Sequence, residues 1–364
     1  MGLAIAAALL WIGAHTWLTQ PREAIAAPSV VYVAPTGNDQ NDGSQQRPWA
    51  TVNHAAAVLQ PGQTVYIRGG TYPLTAQIRA QRSGTANQPM TYTGYPGETV
   101  ILDADAIVVP APTGNPPFPH DQGAFQLENV AYITLKNLTV KNSHNSGITI
   151  RNSHHINLIN NTTEHSFAPG IGAWSNRPNA THDIKILGNT VINANDPSLG
   201  YPGSEKFEPP HESISLGSVN QFEVAYNLVR DGQKEGIDIK EASQEGTVHH
   251  NVVQRVKRQG LYVDSWSGVL RDVEVFNNIV YGGGGAGFVI SVEDGIGAKD
   301  IEVHHNLFYD NWGTGVLFGR WGKMAPAKTS RFTTTRFTTM DMANQSQINS
   351  FIGLQVAFIY SQII

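Results

Sequence analysis

The sequence has no cysteine and little charge. Its 364 residues include 24 Lys and Arg against 29 Asp and Glu, which gives a formal net charge of −5, and charged residues make up 15% of the chain. Without cysteine the protein has no disulfide, no thiolate metal site and no cysteine nucleophile. The weak negative charge, with no basic block, excludes nucleic acid as a partner.

Glycine and hydrophobic residues are abundant instead. The chain has 36 glycines, and 40% of its residues are hydrophobic, which is enough for a substantial core. A charge-poor composition rich in Gly and Asn favours many short strands joined by tight turns. The composition therefore predicts an all-β fold.

The first residues have the pattern of an export signal. Leu3–Ala14 is an apolar run, shorter than the roughly 20 residues of a membrane span, and the polar stretch Thr19–Glu23 leads to the small residues Ala24 and Ala26. This order predicts a signal peptide over residues 1–26 and a secreted or periplasmic protein without a membrane span after its removal. No Lys or Arg precedes the apolar run, so a buried N-terminal helix stays open as the alternative.

Two signatures recur along the chain. An alternating apolar strand that ends in Asn appears at intervals of 24 to 28 residues, apart from one of 38, at Asn137, Asn161, Asn189, Asn227, Asn251, Asn278 and Asn306. Between these, a small residue followed by alternation appears at Gly147, Gly170, Ser213, Gly236, Gly260, Gly287 and Gly315. Each repeat is therefore expected to be one coil with at least two short strands, and the coils to stack over a continuous core.

This periodicity predicts a parallel β-helix. Because Asn tolerates left-handed turn geometry and bonds to backbone, the aligned Asn residues are expected to form a ladder at one corner. A propeller, the alternative, has repeats of roughly 40–45 residues. The excess in the long interval falls between Asn193 and His211, and a Pro-rich stretch covers Pro110 to Pro119. Both are expected to be loops on the solenoid surface.

The N-terminal part has a different pattern. Trp49–Leu59 predicts a short amphipathic helix that covers the open end of the solenoid, and Thr64–Tyr72 predicts the first full strand. We therefore expect an N-terminal cap and first coils over residues 29–107, and β-helix repeats over residues 108–322.

Four segments carry a resemblance to a known family: Tyr32–Asp39, Arg47–Thr51, Pro61–Tyr72 and Tyr95–Glu98. They resemble the N-terminal region of secreted right-handed β-helix proteins, which include pectate-lyase-like and alginate- or chondroitin-lyase-like enzymes. The resemblance covers roughly residues 30–322. It implies an all-β, right-handed parallel β-helix with a short N-terminal capping helix, and a carbohydrate as the ligand.

The repeat pattern stops after Gly322. Residues 323–364 lack the Asn-containing signature and end in an apolar stretch. Read from the last base of the Phe332 codon, the codons that follow permit a further Asn-rich repeat. We therefore interpret residues 323–364 as a frameshifted or truncated tail, with a divergent C-terminal cap as the alternative.

Alternate residues of the second signature are expected to face outwards, away from the core. Neighbouring coils lie about 4.8 Å apart, so Asp238 should stack beside Tyr262 and Lys240 beside Asp264. The other outward groups expected on this face are Arg151, Trp174, Trp266 and Glu293, and Glu241 is next in sequence to Lys240. The long insertion leads into the same face through His211 and Glu212. A solvated row of weak surface salt bridges is the alternative interpretation.

Aromatic residues flanked by carboxylates and bases suit an acidic polysaccharide, and the corresponding chemistry is β-elimination. This reaction needs neutralisation of a uronate carboxylate, a base for the C5 proton and an acid for the leaving oxygen. The candidate catalytic residues are Lys240, Tyr262 and His211, and the candidate substrate-binding residues are Trp174, Trp266, Arg151, Glu212 and Glu293. Because Asp264 and Glu241 should raise the pKa of Lys240, Tyr262 or His211 is the better base, unless a metal neutralises the carboxylates.

The lyases that this sequence resembles use Lys, Arg or Tyr in these roles, often with Ca²⁺ on Asp and Glu oxygens. The resemblance therefore implies a calcium site at Asp238, Glu241 and Asp264. A uronate C5-epimerase, a glycoside hydrolase that uses Asp238 and Asp264, and a non-catalytic carbohydrate-binding protein stay open. The histidine pairs His249/His250 and His304/His305 are expected to be structural. We expect an acidic polysaccharide as the partner of a monomeric protein.

Overall fold

The computed structural model describes residues 29–109, 122–206, 208–293, 297–319 and 336–339. For residues 206, 319 and 336–339 it describes the backbone alone. The predicted signal peptide, the predicted loop from Pro110 to Pro119 and most of the predicted tail lie outside the described residues. Among those described, no helix has the length and apolar character that a bilayer span requires.

The regular elements are short strands with few helices. The helices are α1 Val52–Val58 and the 3₁₀ helices η1 Pro197–Leu199 and η2 Ser204–Lys206. The strands are β1 Val30–Val33, β2 Thr64–Ile67, β3 Gly70–Pro73, β4 Ile78–Arg79, β5 Met90–Gly94, β6 Val100–Asp103, β7 Gly123–Glu128, β8 Ala131–Lys136, β9 Thr139–Ser143, β10 Ser146–Arg151, β11 His154–Ile159, β12 Thr162–Ser166, β13 Ile171–Trp174, β14 His182–Leu187, β15 Thr190–Ala194, β16 Ile214–Gly217, β17 Asn220–Ala225, β18 Leu228–Arg230, β19 Ile237–Lys240, β20 Gln244–His249, β21 Val252–Gln254, β22 Leu261–Ser265, β23 Val269–Phe276, β24 Ile279–Tyr281, β25 Phe288–Val292, β26 Gly297–Tyr309, β27 Val316–Gly319 and β28 Arg336–Thr339.

These strands form three parallel columns, which confirms the parallel β-helix. Sheet 1 runs in the order β4-β7-β10-β13-β16-β19-β22-β25-β27. Sheet 2 contains β1, β2, β5, β8, β11, β14, β17, β20, β23, β26 and β28, and sheet 3 contains β3, β6, β9, β12, β15, β18, β21, β24 and the end of β26. A regular coil therefore has three strands, one in each sheet. This agrees with the prediction of at least two strands in each coil.

Alternation along each strand builds the core. In β10, Ile148 and Ile150 belong to the main apolar cluster, and in β19 Ile237 and Ile239 do the same. The residues between them point to the outer side, because side chains alternate along a strand. The small residues of the second signature immediately precede or open the strands of sheet 1, so that signature marks sheet 1 throughout the coils.

The cap forms where it was predicted. Helix α1 lies inside the predicted range, and the Thr51 hydroxyl accepts a hydrogen bond from the His54 N–H at its N-terminus. Val52, Ala55 and Ala56 are buried in the main apolar cluster, so the helix closes the end of the core. The predicted single strand over Thr64–Tyr72 is instead β2 and β3, since the chain turns a corner between them.

A buried ladder of asparagines links six coils. The backbone N–H of Asn161 donates to Asn189 Oδ1 at 2.9 Å, and the same bond joins Asn189 to Asn227 at 2.8 Å and Asn227 to Asn251 at 3.0 Å. Asn278 and Asn306 continue the series. Each Nδ2 also donates to a carbonyl of the preceding coil, so the ladder satisfies buried backbone groups at the corner between sheets 2 and 3.

The predicted ladder is corrected in two details. Asn137 is not a rung, because Leu138 holds the ladder position in its coil and donates its N–H to Asn161 Oδ1 at 3.2 Å. The left-handed backbone belongs to the residue before each rung, such as Asn160 with φ 53° and Tyr226 with φ 59°. The rungs are therefore selected for their side-chain amide and not for their backbone conformation.

Candidate active site on sheet 1

The long insertion between β15 and β16 delivers two predicted site residues to the outer face of sheet 1. Asn195 is fully buried, and its Nδ2 donates to the carbonyl oxygens of Pro210 and His211, both at 3.1 Å. These bonds anchor the end of the insertion. His211 has a left-handed backbone with φ 58°, and Glu212 follows it directly into β16.

Trp174 provides an aromatic surface at the end of β13. Its indole lies over Gly172, where a side chain would collide with the ring, and beside Gly217 of the next coil. The Trp174 and His211 rings are in contact, with centroids 4.9 Å apart. The two glycines therefore let the indole lie against the sheet, and the structure brings Trp174 and His211 together as the sequence predicted.

Lys240 lies among carboxylates at the centre of this face. Its Nζ is 2.6 Å from Glu212 Oε2 and 3.4 Å from Asp238 Oδ2. Glu212 Oε2 also accepts a hydrogen bond from the Ser215 hydroxyl at 2.7 Å. The side chains are 12% exposed for Lys240, 8% for Glu212 and 0% for Asp238, so water screens this ion pair poorly.

The charges of these groups follow from their burial and their neighbours. Burial alone would lower the pKa of Lys240, but Glu212, Asp238 and Asp264 outweigh it and raise the pKa above its usual range. Burial alone would raise the pKa of Glu212, but Lys240 and His211 bring it far below its usual range. Burial, Glu212 and Asp264 together raise the pKa of Asp238 well above that of a free carboxyl. Lys240 and Glu212 are therefore charged at neutral pH, whereas the charged form of Asp238 is disfavoured.

The next coil contributes Asp264 and Tyr262. Burial raises the pKa of Asp264 to about 7, against the opposing effect of Lys240. The Tyr262 hydroxyl donates to Glu293 Oε1, and burial together with this bond raises the pKa of Tyr262 above its usual range. At neutral pH Tyr262 therefore keeps its proton. The Asp264 carboxyl is partly protonated, because its pKa is close to neutral pH.

The predicted stacking of Asp238 beside Tyr262 is confirmed, but the side chains are not exposed as outward positions on this face were expected to be. Asp238 pairs in register with Ser215 on one side and Tyr262 on the other. Asp238 is 0% exposed, Asp264 5% and Tyr262 7%, although all three point away from the core. Period-2 alternation within a strand shows that a side chain points away from the core, but it does not show whether other residues bury that side chain.

The remaining predicted site residues lie further out. Arg151 is 3.7 Å from Glu128, towards the N-terminal coils. Trp266 is half exposed, and Glu241 accepts a hydrogen bond from the Ser267 hydroxyl. We call His211, Glu212, Asp238, Lys240, Tyr262 and Asp264 the sheet-1 site.

The contacts of Arg258 with Glu208 in the insertion and with Glu235 were not predicted from the sequence. Arg258 binds both carboxylate oxygens of Glu208, at 3.0 and 2.8 Å, and lies 3.7 Å from Glu235. Glu235 is buried beside the sheet-1 site, and burial together with Glu212 raises its pKa. Glu208 lies within the insertion, and Arg258 lies in the turn before β22. Their separation does not match the repeat period, so the sequence pattern could not predict this contact.

Calcium prefers oxygen ligands, and the predicted ones are the carboxylates of Asp238, Glu241 and Asp264. Both carboxylate oxygens of Asp238 and Oδ1 of Asp264 are buried without a hydrogen-bond partner. These two residues therefore fit a divalent cation. Glu241 is engaged with Ser267, and the three predicted ligands are not among the groups of described residues whose ligand atoms lie within 4.8 Å of one another.

The raised pKa of Asp264 predicts a pH-dependent stability. An unfolded chain releases this proton near pH 4, whereas the folded chain releases it near pH 7. Between about pH 4 and pH 7 the folded chain therefore holds a proton on Asp264 that the unfolded chain has released. Because of this difference, the free energy of unfolding falls as pH rises from about 4 to about 7. Urea unfolding across this range should show a smaller fall for Asp264→Asn than for the unsubstituted protein. An equal fall in both proteins would contradict the assignment, and Asp300→Asn, on another face, is the control.

Comparison with known proteins identifies the family. The family model described as Pel9A-like, right handed beta helix region matches residues 31–223, which is more than half of the chain. The chain belongs to the Pel9A-like right-handed β-helix family. The expected family resemblance and fold class are thereby confirmed, including the right-handed coil.

The chain is also similar to individual proteins with different names. The chain is 29% identical to protein YwoF of Bacillus subtilis over 69% of this chain and 56% of that protein. It is 28% identical to pectate lyase PEL9 of Emericella nidulans over 39% of this chain and 38% of that protein. The solved structure of pectate lyase Pel9A superposes with a TM-score of 0.59 at 15% identity, covering 84% of this chain and 80% of that one, which shows a shared fold. The chain spans about half the length or less of the curated relatives that it matches.

Proposed function

We propose that this protein is a polysaccharide lyase that cleaves an acidic, uronate-containing polysaccharide by β-elimination at the sheet-1 site. The observation that carries the proposal is Lys240, an ammonium held between Glu212 and Asp238 where the long insertion meets sheet 1. Membership in the Pel9A-like family and relatives named pectate lyases support this reaction class. The family also supports a carbohydrate as the ligand.

The sheet-1 site has a candidate for each requirement of the reaction. β-Elimination breaks the C5–H and C4–O bonds of the uronate, and the C5–H electrons form the new double bond. Lys240 holds its proton, so it pairs with the substrate carboxylate and lowers the cost of the negative charge that develops as C5 loses its proton. His211, anchored by Asn195 and in contact with Trp174, is the base for the C5 proton.

Tyr262 is the acid for the leaving oxygen in this proposal. Its hydroxyl keeps its proton at neutral pH and lies one coil away from Asp238. Trp174 offers an apolar face for a sugar ring, as the sequence predicted. Of the predicted calcium ligands, Asp238 and Asp264 would hold the ion, which would neutralise these two carboxylates.

A glycoside hydrolase is the second candidate. Asp238 and Asp264 lie on adjacent coils and both have a raised pKa, as a general acid requires. Hydrolysis adds water across the glycosidic bond and forms no double bond. The products therefore separate the two reactions.

The test uses the full chain with pectate, alginate and glycosaminoglycans, with Ca²⁺ and with chelator. We expect ultraviolet absorbance from unsaturated uronate products on one of these polymers. Tyr262→Phe should reduce this rate by about 100-fold or more, because general acid catalysis is worth that much, while polymer binding is retained. The phenyl ring preserves the packing of Tyr262 with Ala286 and Val289, so the variant removes the hydroxyl alone.

Two outcomes would contradict the lyase, and a third would contradict the role proposed for Tyr262. New reducing ends without absorbance would indicate the hydrolase. Binding without any turnover, from protein shown to be folded by circular dichroism, would indicate a carbohydrate-binding protein. An unchanged rate for Tyr262→Phe would remove Tyr262 from the acid role.

A further inference from the structure

Three histidines from two adjacent coils meet on the outer face of sheet 2. His154 pairs in register with His182 of the next coil, and their rings stack with centroids 4.7 Å apart. His154 Nδ1 is 2.9 Å from Nδ1 of His155. We call these three residues the histidine cluster, and each offers one ligand nitrogen within 4.8 Å of the other two.

The backbone explains how consecutive residues share a face. His155 has a left-handed φ of 53°, which turns its side chain out beside His154 instead of into the core. The same conformation occurs at Asp183, with φ 52°, so Asp183 stands beside His182. Asp183 Oδ2 is 2.7 Å from His182 Nδ1 and 3.7 Å from His155 Nδ1. A carboxylate therefore lies in contact with two of the three imidazoles.

From this geometry we propose that the histidine cluster binds a divalent transition-metal ion of the zinc type, with Asp183 as the carboxylate that orients His182 or completes the ligand set. Imidazole and carboxylate are the ligands that Zn²⁺ accepts in a tetrahedral site. A carboxylate on the second nitrogen of a ligating histidine is the usual supporting contact in such sites.

Accessibility and charge support this assignment. The three histidines are half-buried, and His155 and Asp183 line an open groove of about 480 Å³ together with Tyr132 and Lys185. An ion can enter from this side. The Asp183 carboxylate lies beside two of the three imidazoles, and its negative charge favours a bound cation. Zn–N bonds are about 2.0–2.1 Å, so the rings must rotate slightly towards a common point when the ion binds.

The chain contains its own matched control. His249 and His250 repeat the pair geometry, with Nδ1 atoms 2.9 Å apart and a left-handed φ of 53° at His250. The ring that stacks on His249 from the next coil, at 4.7 Å, belongs to Phe276 instead of a third histidine. The pair is therefore a feature of the coil, and the third imidazole is what distinguishes the histidine cluster.

The experiment titrates Zn²⁺ into chelator-treated full chain by calorimetry, with Ca²⁺ present to occupy any acidic site on sheet 1. We expect one equivalent bound with a Kd of about 1 µM or below. His182→Asn and His155→Asn should each weaken binding by at least about 10-fold, whereas His249→Asn should change it by less than 2-fold. Asn suits both positions, because Asn220 holds the register position of His182 in the next coil and Asn tolerates a left-handed backbone.

Spectroscopy and activity complete the test. Co²⁺ in place of Zn²⁺ should give the strong visible absorption of a tetrahedral site, and His182→Asn should remove it. No bound ion, or equal weakening by His249→Asn, would overturn the proposal, as would binding that Glu212→Gln abolishes. Circular dichroism checks that each variant is folded. If His182→Asn does not fold, His155→Asn is used in its place. The cluster lies on a different sheet from the proposed lyase site, so polysaccharide cleavage should be unchanged in these variants.

Discussion

The double variant Lys240→Met, Glu212→Gln should cleave polysaccharide about 100- to 1000-fold more slowly and still fold. Removal of the buried ammonium eliminates the group that we propose pairs with the substrate carboxylate, and such preorganised charge is worth about 100- to 1000-fold in rate per contact. Replacing Glu212 at the same time removes the closest anion, which lies 2.6 Å from Nζ. The initial rate of unsaturated product formation measures the effect.

The double replacement is needed because a single one unbalances a buried pair. Lys240→Met alone leaves Glu212 charged without its cation, which costs about 3–5 kcal/mol. Lys185→Met is the matched control, since Lys185 forms a similar cross-coil pair with Glu223 at 3.4 Å but on sheet 2 and half exposed. It should retain full activity. Cleavage by the folded double variant at the unsubstituted rate would exclude Lys240 from the reaction.

Asn251→Ala should lower the free energy of unfolding by about 3 kcal/mol or more, because it removes a central rung of the ladder. The substitution deprives the Asn227 N–H of its acceptor at 3.0 Å and the Val224 carbonyl of a donor at 2.8 Å, and both groups are buried. A buried backbone group without a partner costs about 1–3 kcal/mol. Urea unfolding at fixed pH measures the loss.

Asn157→Ala is the control for the ladder. Asn157 lies on the outer face of β11, half-buried, and makes a hydrogen bond of 3.2 Å to Thr134 of the preceding coil. Its replacement should change the free energy of unfolding by about 0.5 kcal/mol or less. If both variants lose the same amount, the ladder contributes no more than an ordinary surface amide.

Much of the fold could be predicted because its signals are local and periodic. The second signature placed the strands of sheet 1, and the first placed those of sheet 2. The third strand of each coil escaped prediction. Some, such as β18 Leu228–Arg230, have only three residues, which are too few to show alternation. Longer ones, such as β12 Thr162–Ser166, contain a residue with left-handed backbone that interrupts the alternation. The position of Asn137 was misread for a similar reason, since a shift of one residue separates a rung from the left-handed residue before it.

The candidate site was predicted unevenly. The stacking of Asp238 beside Tyr262 followed from the repeat period, and the contact between Trp174 and His211 followed from the position of the insertion. The pairing of Lys240 with Glu212 was not anticipated, and neither was the bridge from Glu208 through Arg258. Both depend on the path of an insertion that has no repeat.

The sequence by itself determined the coil period, the alternation that forms the core, and the family to which the chain belongs. These depend on contacts between residues at a constant spacing, which a one-dimensional pattern records. The tertiary structure decided which outward side chains are buried, so that Lys240 and Glu212 became an enclosed ion pair with altered pKa values. It also decided that His182 meets His154 across 28 residues. Irregular loops set the length of each coil, and therefore which side chains become neighbours, and no local propensity encodes that length.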